Sequence, residues 1–367
     1  MPFTPGRAEF PPVGSHGNLF GLMKLQFHRF DLNLTRTWRI ASGGTTGINT
    51  YPVVLIELCD EQGRTGIGEA ASTSRYAQPV EVIESFLQKV DARRLSLDDV
   101  SGSMDYLDSV APGNQAAKCG LNIALLDGFT RARQIAIYDH FQLGFTEGRH
   151  VTSFSIGIDT PDIIREKVIK AAHYPVLKLK VGSPDDKANF AALRRAAPVK
   201  PVRVDANEAW KTKEEALANI EWLHADGHVQ FIEQPMPANS DRADMAWLKV
   251  RSPLPIFGDE SYHHAGDIEL AAECFHGVNV KLVKTGGISG AYDALQAARK
   301  TGLKTMIGCM IESSVLITAA AHLSQLADHL DIDGNLLVSN DPYRGATAEN
   351  GGVSFANAPE KFGLRVR

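Results

Sequence analysis

Three acidic residues each end a short apolar, β-rich run in the second half of the chain. Asp205, Glu233 and Asp259 follow one another at intervals of 28 and 26 residues. If the runs are parallel strands, their carboxyl ends meet at one rim and the three carboxylates converge there. A single acid at a strand end is more often a helix cap or a salt bridge, but a series of them favours a metal site. Hard oxygen ligands suit Mg²⁺, and zinc is disfavoured because no histidine or cysteine shares these positions.

Lysines lie on both sides of the acidic trio. Lys180 precedes Asp205 by 25 residues, and Lys281 follows Asp259 by 22 residues. Lys178 is two residues before Lys180 on the same run, so both are expected to point into the interior, where burial and a nearby cation lower the pKa of a lysine. Two such lysines can remove the proton α to a metal-bound carboxylate and return one to the opposite face. The pattern predicts a racemase or epimerase.

The elements that must position these residues form a regular series from residue 151 onward. Eight apolar runs alternate with amphipathic helical patterns at an interval that fits one strand, one helix and two loops. Eight runs favour closure, so the predicted fold is α/β, a (β/α)7β barrel (a modified TIM barrel) over residues 151–345. The runs are 154–157, 176–181, 202–205, 231–233, 256–259, 277–283, 304–307 and 329–333.

The chain before residue 151 has a mixed pattern. Alternating residues at 23–30 and a β-rich run at 51–58 predict an antiparallel meander, and helical patterns follow. We therefore expect residues 23–150 to form an α+β capping domain, completed by a C-terminal segment, residues 346–367. Residues 1–22 are rich in proline and glycine without apolar periodicity, and they predict a flexible tail.

Composition excludes several classes of protein. Of 367 residues, 44% are hydrophobic and 22% charged, which excludes disorder and coiled coil. The net charge of -5 comes without a dense basic block, which argues against a nucleic-acid partner. We expect no membrane partner and a cytoplasmic location, because the chain lacks a long apolar span and a signal-peptide core. Four widely spaced cysteines are predicted to be reduced: Cys59, Cys119, Cys274 and Cys309.

Taken together, these motifs resemble the enolase superfamily, specifically its muconate-lactonising subgroup, from Met23 to the C-terminus. The matching stretches are Leu177–Lys180, Val204–Asn207, Phe231–Pro235, Gly258–Ser261, Asn279–Lys281 and Thr285–Gly287. The resemblance implies that Asp205, Glu233 and Asp259 hold one Mg²⁺ per subunit. It also implies that Lys180 and Lys281 are the acid/base pair. The supporting residues that it implies are Lys178, Asn207 and Glu260, with Lys284 further from the reaction.

Two further stretches resemble the dipeptide epimerases of this subgroup. Asp331 and Asp333 match an Asp-x-Asp motif that holds the α-ammonium of the substrate, and two same-facing acids suit a cation. The stretch 306–314 resembles the loop after the seventh barrel strand, in which Met310 and Ile311 are expected to contact substrate.

The specificity loop is predicted at residues 35–46. Epimerases that act on L-Ala-Glu use an arginine of this loop, but the resemblance places Gly43 or Gly44 at that position. Arg39 is expected to take over this role. Trp38 is read either as an anchor of the lid or as a wall that contacts substrate.

The resemblance implies a Mg²⁺-dependent dipeptide epimerase that inverts the α-carbon of the second residue. L-Ala-D/L-Glu from cell-wall peptide turnover is the default substrate, and a homo-oligomer is expected. One alternative is a lyase or cycloisomerase of the same subgroup, such as an o-succinylbenzoate synthase or a muconate cycloisomerase, whose substrates carry no ammonium. Another is a non-catalytic ligand-binding barrel, although such a protein has no use for two opposed bases.

Overall fold

The computed structural model describes residues 23–43 and 46–367. The predicted tail, residues 1–22, and Gly44 of the specificity loop lie outside the described residues. The chain forms two sheets, one antiparallel with three strands and one parallel with eight. In the described ranges, no helix has both the length and the apolar character needed to cross a membrane.

The N-terminal sheet is the predicted antiparallel meander. Its turn between the second and third strands is fixed by Asp60, whose carboxylate accepts N–H bonds from Gln62 and Arg64. The first strand extends past the predicted run as far as Trp38, which brings the chain to the mouth of the barrel. The strands are β1 (Lys24–Trp38), β2 (Ile48–Cys59) and β3 (Thr65–Ala71).

Helices pack on one face of this sheet and bury it. A Cβ atom on Gly66 would lie 1.9 Å from the carbonyl oxygen of Ala124, and one on Gly68 would lie 1.9 Å from that of Gly120. These two glycines therefore let the longest helix pack directly on the backbone of β3. The helices are α1 (Val80–Leu87), α2 (Val100–Val110), α3 (Gln115–Ala132) and α4 (Ile137–His140).

The second half of the chain is a closed parallel barrel. A bridge from Thr152 to Leu330 joins the two outermost strands, so the predicted fold class is confirmed. The barrel strands are β4 (Phe154–Ile156), β5 (Leu177–Lys180), β6 (Val202–Asp205), β7 (Val229–Glu233), β8 (Ile256–Gly258), β9 (Gly277–Val280), β10 (Lys304–Gly308) and β11 (His329–Asp331). The helices are α5 (Pro161–Lys170), α6 (Asp186–Ala196), α7 (Lys213–His224), α8 (Arg242–Arg251), α9 (Ile268–Cys274), α10 (Leu282–Thr285), α11 (Ile288–Lys300) and α12 (Ser314–Ala321).

The order of the barrel strands decides which side chains face each other. The strands are hydrogen-bonded in sequence order from β4 to β11, and β11 returns to the start of β4. In a ring of eight, β5 therefore lies opposite β9, and β7 lies opposite β11. Seven of the eight predicted runs match their strands to within two residues at either end. The largest difference is in 277–283, which was expected to be strand throughout: Leu282–Thr285 is the helical turn α10, so Lys281 sits between strand and helix.

The C-terminal segment runs back to the capping domain. Gly363 bridges to Ala136, and the backbone N–H of Leu364 donates to Asp127 at 2.7 Å. The imidazole of His322 lies between the two parts: its Nδ1 accepts the N–H of Tyr138 at 3.2 Å, and its Nε2 donates to the carbonyl of Leu364 at 3.0 Å. This segment thus completes the cap. The predicted domain limits stay predictions.

His322 predicts acid sensitivity of the fold. Burial lowers its pKa to about 3, against an ordinary value of 6.5. Between pH 3 and pH 6.5, the imidazole of His322 is therefore protonated in the unfolded chain and neutral in the folded chain. Stability is lost as the pH falls below 6.5, by about 1.4 kcal/mol per pH unit from this group.

We expect His322→Gln, which keeps one acceptor and one donor without titrating, to flatten this dependence. Urea unfolding at pH 7 and pH 5 measures the free energy of unfolding of both proteins. His224→Gln, at an exposed position on α7, is the matched control. Equal pH slopes for the wild type and His322→Gln would show that the prediction is wrong.

Candidate active site

A cavity of about 460 Å³ lies at the carboxyl ends of the barrel strands, between barrel and cap. Every residue predicted to bind substrate lines it, and so do both predicted catalytic lysines. The acidic trio and Lys178 are buried behind this lining. The predicted residues that line the cavity are Trp38, Arg39, Lys180, Asn207, Glu260, Lys281, Met310, Ile311, Asp331 and Asp333.

Lys178 is enclosed by carboxylates in the centre of the barrel. Its ammonium lies 2.6 Å from Asp331, 2.7 Å from Glu233 and 3.1 Å from Asp205. Burial lowers the pKa of Lys178, but the three acids outweigh it and hold the pKa well above its ordinary value. Lys178 is therefore a fixed positive charge that balances buried acids.

Lys180 lies two residues further along β5, closer to the cavity, which it lines. Its Nζ donates to Asp205 Oδ2 at 2.6 Å, while Asp205 Oδ1 accepts the backbone N–H of Asn207. Burial raises the pKa of Asp205, but Lys180 and Lys178 outweigh it and bring the pKa to about 2. Asp205 is therefore ionised at neutral pH.

Asp259 holds two lysines on the opposite side. Lys281 Nζ lies 2.8 Å from Asp259 Oδ2, and Lys284 Nζ donates to Asp259 Oδ1 at 2.6 Å. Burial lowers the pKa of Lys281, but the charge of Asp259 raises it well above the ordinary value. The lowered pKa that we expected for the inward-facing lysines is wrong for Lys178, and the pKa of Lys281 is raised in the same way, because carboxylates lie beside both ammoniums. The pKa of Lys284 is lowered by burial.

The acidic trio has the chemistry of a divalent-cation site. All three side chains are fully buried, and burial together with the charge of Asp205 raises the pKa of Glu233 to about 7. Glu233 Oε2 and Asp259 Oδ2 are held only by ion pairs, with Lys178 at 2.7 Å and Lys281 at 2.8 Å, in the described part of the chain. Across residues 23–43 and 46–367, no group of three or more histidine, cysteine, aspartate or glutamate side chains is already arranged to hold a metal ion. Three buried carboxylates at one rim, crowded by like charges, fit a bound cation.

Asp331 and Asp333 lie across the barrel from Glu233, and their surroundings differ. Asp331 is already paired with Lys178 and accepts the hydroxyl of Ser153 at 2.7 Å. Among the described residues, the carboxylate of Asp333 accepts hydrogen bonds only from Ser155, from its backbone N–H at 2.6 Å and from its hydroxyl at 3.3 Å. Burial and the charge of Asp331 raise the pKa of Asp333 to about 7. Asp333 is thus the acid of the pair that lacks a cation.

Comparison with known proteins agrees with this geometry. Residues 164–361 match the family model described as enolase C-terminal domain-like. The chain is 61% identical to the L-Ala-D/L-amino acid epimerase of Pedosphaera parvula (strain Ellin514) over 94% of this chain and 99% of that protein. The chain belongs to the enolase superfamily. The predicted family is therefore confirmed, and so is the predicted enzyme class, an isomerase.

Two further proteins that are similar to this chain support its assignment to the enolase superfamily. The L-Ala-D/L-Glu epimerase of Bacteroides thetaiotaomicron is 36% identical over 96% of this chain and 91% of that protein. The dipeptide epimerase from Enterococcus faecalis V583, solved with Mg and the dipeptide L-Leu-L-Tyr, superposes with a TM-score of 0.85. It is 26% identical, and the match covers 94% of this chain and 99% of that one.

This superfamily member also uses residues that we did not predict from sequence. Ser153 and Ser155 hold Asp331 and Asp333 across the closure of the barrel. The sequence did contain a signal for this contact. Ser153 and Ser155 are two residues apart at the first barrel strand, which must lie beside the last strand, with Asp331 and Asp333, when the barrel closes. Gln234 was also missed as a positioning residue: its side-chain oxygen accepts the N–H of Asp259 at 2.9 Å.

The cap supplies the remaining walls. Trp38 lines the cavity, which favours its reading as a substrate-contacting wall, although it stays untested. Arg39 also lines it, and within residues 23–43 and 46–367 its guanidinium forms no ion pair with a carboxylate. Tyr51, Arg75 and Tyr76 were not predicted, because their approach depends on how the cap sits on the barrel.

Proposed function

We propose that this chain is a Mg²⁺-dependent dipeptide epimerase that inverts the α-carbon of the second residue, with L-Ala-D/L-Glu as the default substrate. The observation that carries the proposal is the placement of Lys180 and Lys281. They lie at the ends of β5 and β9, which are opposite each other in the barrel, and both line one cavity. An α-carbon between them presents one face to each lysine.

The strand ends between the two lysines, on β6 to β8 and on β11, orient the substrate. The acidic trio ends β6, β7 and β8, and the acids of β11 face it from across the ring. A dipeptide that spans the mouth would place its carboxylate toward β7 and its ammonium toward Asp333. A Mg²⁺ held by Asp205, Glu233 and Asp259 would neutralise the charge that develops on the carboxylate as the α-proton leaves.

The lysines then perform the transfer. One lysine in its neutral form accepts the α-proton, and the other, as an ammonium, donates a proton to the opposite face. Lys178 stays charged between its acids and stabilises the negative charge around the carboxylate. The proton added to the opposite face therefore comes from the second lysine, whose ammonium protons exchange with solvent between turnovers.

Arg39 supports acceptance of an acidic second residue. It is a guanidinium without an acidic partner in the wall that the side chain of the second residue must meet, and it can pair with a carboxylate in two hydrogen bonds. The apolar neighbours in that wall, Ile40 and Ile48, also suit apolar side chains. The relatives named for L-Ala-D/L-amino acid and L-Ala-D/L-Glu substrates support this range.

One Mg²⁺ per subunit, the homo-oligomer, the cytoplasmic location and the role in cell-wall peptide turnover stay predictions.

Isotope exchange tests the proposed function. The protein, incubated with L-Ala-L-Glu and Mg²⁺ in D₂O, should incorporate deuterium at the second α-carbon and produce L-Ala-D-Glu. Mass spectrometry measures the first product and chiral chromatography the second. Treatment with EDTA should stop both, and added Mg²⁺ should restore them. If a panel of L-Ala-L-Xaa dipeptides gains neither deuterium nor a second diastereomer, the proposal fails.

A further inference from the structure

One ion pair joins the cap to the rim of the barrel beside the cavity. Arg75 lies between β3 and α1, and its guanidinium forms a two-bond fork with Glu208 in the loop after β6, at 2.7 and 2.6 Å. The Glu208 side chain is only 12% exposed, and its Oε1 also accepts the N–H of Ala238 at 2.7 Å. Such a bidentate pair is rigid and directional.

The backbone under Glu208 is held in a costly conformation. Asn207 and Glu208 have φ angles of 42° and 68°, in the left-handed region that residues with a Cβ rarely adopt. The N–H of Glu208 donates to the carbonyl of Gln234 at 2.9 Å, and the carbonyl of Glu208 accepts a hydrogen bond from Lys211 Nζ at 2.8 Å. These contacts fix the carboxylate of Glu208 at one place on the rim.

The geometry of the α-carbon sends the second side chain toward this pair. In the proposed pose the carboxylate points to β7, the peptide nitrogen to β11, and the proton to one of the two lysines. The fourth substituent is the side chain, which must rise from the barrel into the cap. Two guanidinium groups line the cap wall there: Arg39, which has no acidic partner in the described residues, and Arg75, whose partner is Glu208.

Arg75 is also the boundary of a second space. An open groove of about 530 Å³ lies outside the cavity, and Arg75 and Glu260 line both. The groove is polar and is otherwise lined by residues 238–239, 261, 263 and 267. The side chain of Arg75 therefore lies at the boundary between the cavity and a groove that is more open to solvent.

We propose that Arg75 is a specificity-determining residue that closes the pocket for the second side chain and excludes cationic side chains from it. The inference rests on the proposed function and names the class of substrate that the site refuses. Removing the guanidinium would connect the pocket to the groove and leave the fixed carboxylate of Glu208 facing it. A lysine side chain of the second residue could then replace the missing charge.

Substrate selectivity tests this inference. We compare kcat/KM for L-Ala-L-Lys and L-Ala-L-Leu in the wild type, Arg75→Ala and the double variant Arg75→Ala/Glu208→Gln. Arg75→Ala should raise the Lys/Leu ratio by about tenfold or more, and the double variant should lose that gain. Arg242→Ala, which breaks a surface pair with Glu273 at similar exposure, should leave the ratio unchanged.

Three outcomes would overturn the inference. The ratio in Arg75→Ala could stay within about twofold of the wild type, the gain could survive in the double variant, or both substrates could lose rate equally, as a purely structural role predicts. Arg75→Lys, which keeps the charge without the fork, is measured alongside in case Arg75→Ala does not fold, and it should retain the wild-type preference. If the wild type acts on no dipeptide, the proposed function has failed instead.

Discussion

Replacing either Lys180 or Lys281 by alanine is expected to stop epimerisation while leaving proton exchange at one face of the substrate. General acid–base catalysis by one side chain contributes about 10²- to 10⁴-fold, so kcat/KM for epimerisation should fall by about a thousandfold in each variant. The remaining lysine can still remove the α-proton that faces it and return deuterium from solvent. One variant should therefore label only L-Ala-L-Glu, and the other only L-Ala-D-Glu.

Proton NMR in D₂O, started from each diastereomer separately, measures this division. Lys304→Ala is the control, because Lys304 begins β10 at the opposite end of the barrel and its side chain is 63% exposed. Exchange of the same diastereomer by both variants would contradict the two-base arrangement. So would epimerisation within about tenfold of the wild-type rate in either variant.

The second large effect is expected at Asp333. Asn in place of Asp333 keeps the acceptor for the N–H of Ser155 but removes the charge that we assign to the substrate's ammonium. Removing one partner of a buried charge pair costs about 2–5 kcal/mol, so kcat/KM for L-Ala-L-Glu should fall by about a hundredfold. Asp331 should compensate little, because Lys178 already holds it at 2.6 Å.

N-Acetyl-L-Ala-L-Glu provides the matched control substrate for this variant, since it has no ammonium. Its slow turnover should be similar in the wild type and Asp333→Asn, so that the preference for the free dipeptide collapses. Equal losses with both substrates would show that Asp333 acts on the structure and not on the ammonium. An unchanged rate with the free dipeptide would show that Asp333 does not bind the ammonium.

The sequence predicted the barrel because its signal is local. Each strand is a short apolar run between polar loops; the bounds of Val202–Asp205 were predicted to the residue, and those of the other strands except β9 to within two residues. The strand ends also carried the chemistry, so the lysines and the acids could be assigned to one rim. The end of β9 was misjudged because Leu282 and Val283 are apolar in a helical turn as well as in a strand.

Contacts between distant parts of the chain could not be predicted in the same way. Nothing near Arg75 in the sequence indicates Glu208, which is 133 residues away. The pKa of Lys281 likewise depends on a distance to Asp259 that only the closed barrel sets. Lys178 was expected to face inward, but its three simultaneous acid partners follow from the curvature of the sheet.

The ring order of the strands has a consequence for how such an enzyme can diversify. In the proposed mechanism, proton transfer is confined to β5 and β9, whereas the groups proposed to distinguish one substrate from another lie on β11 and on the cap. Mutations can therefore accumulate in the recognition half without disturbing the reacting half. Under the proposed mechanism, the substrate range of this chain can therefore change while the stereochemical course of the reaction stays set by two opposite strands.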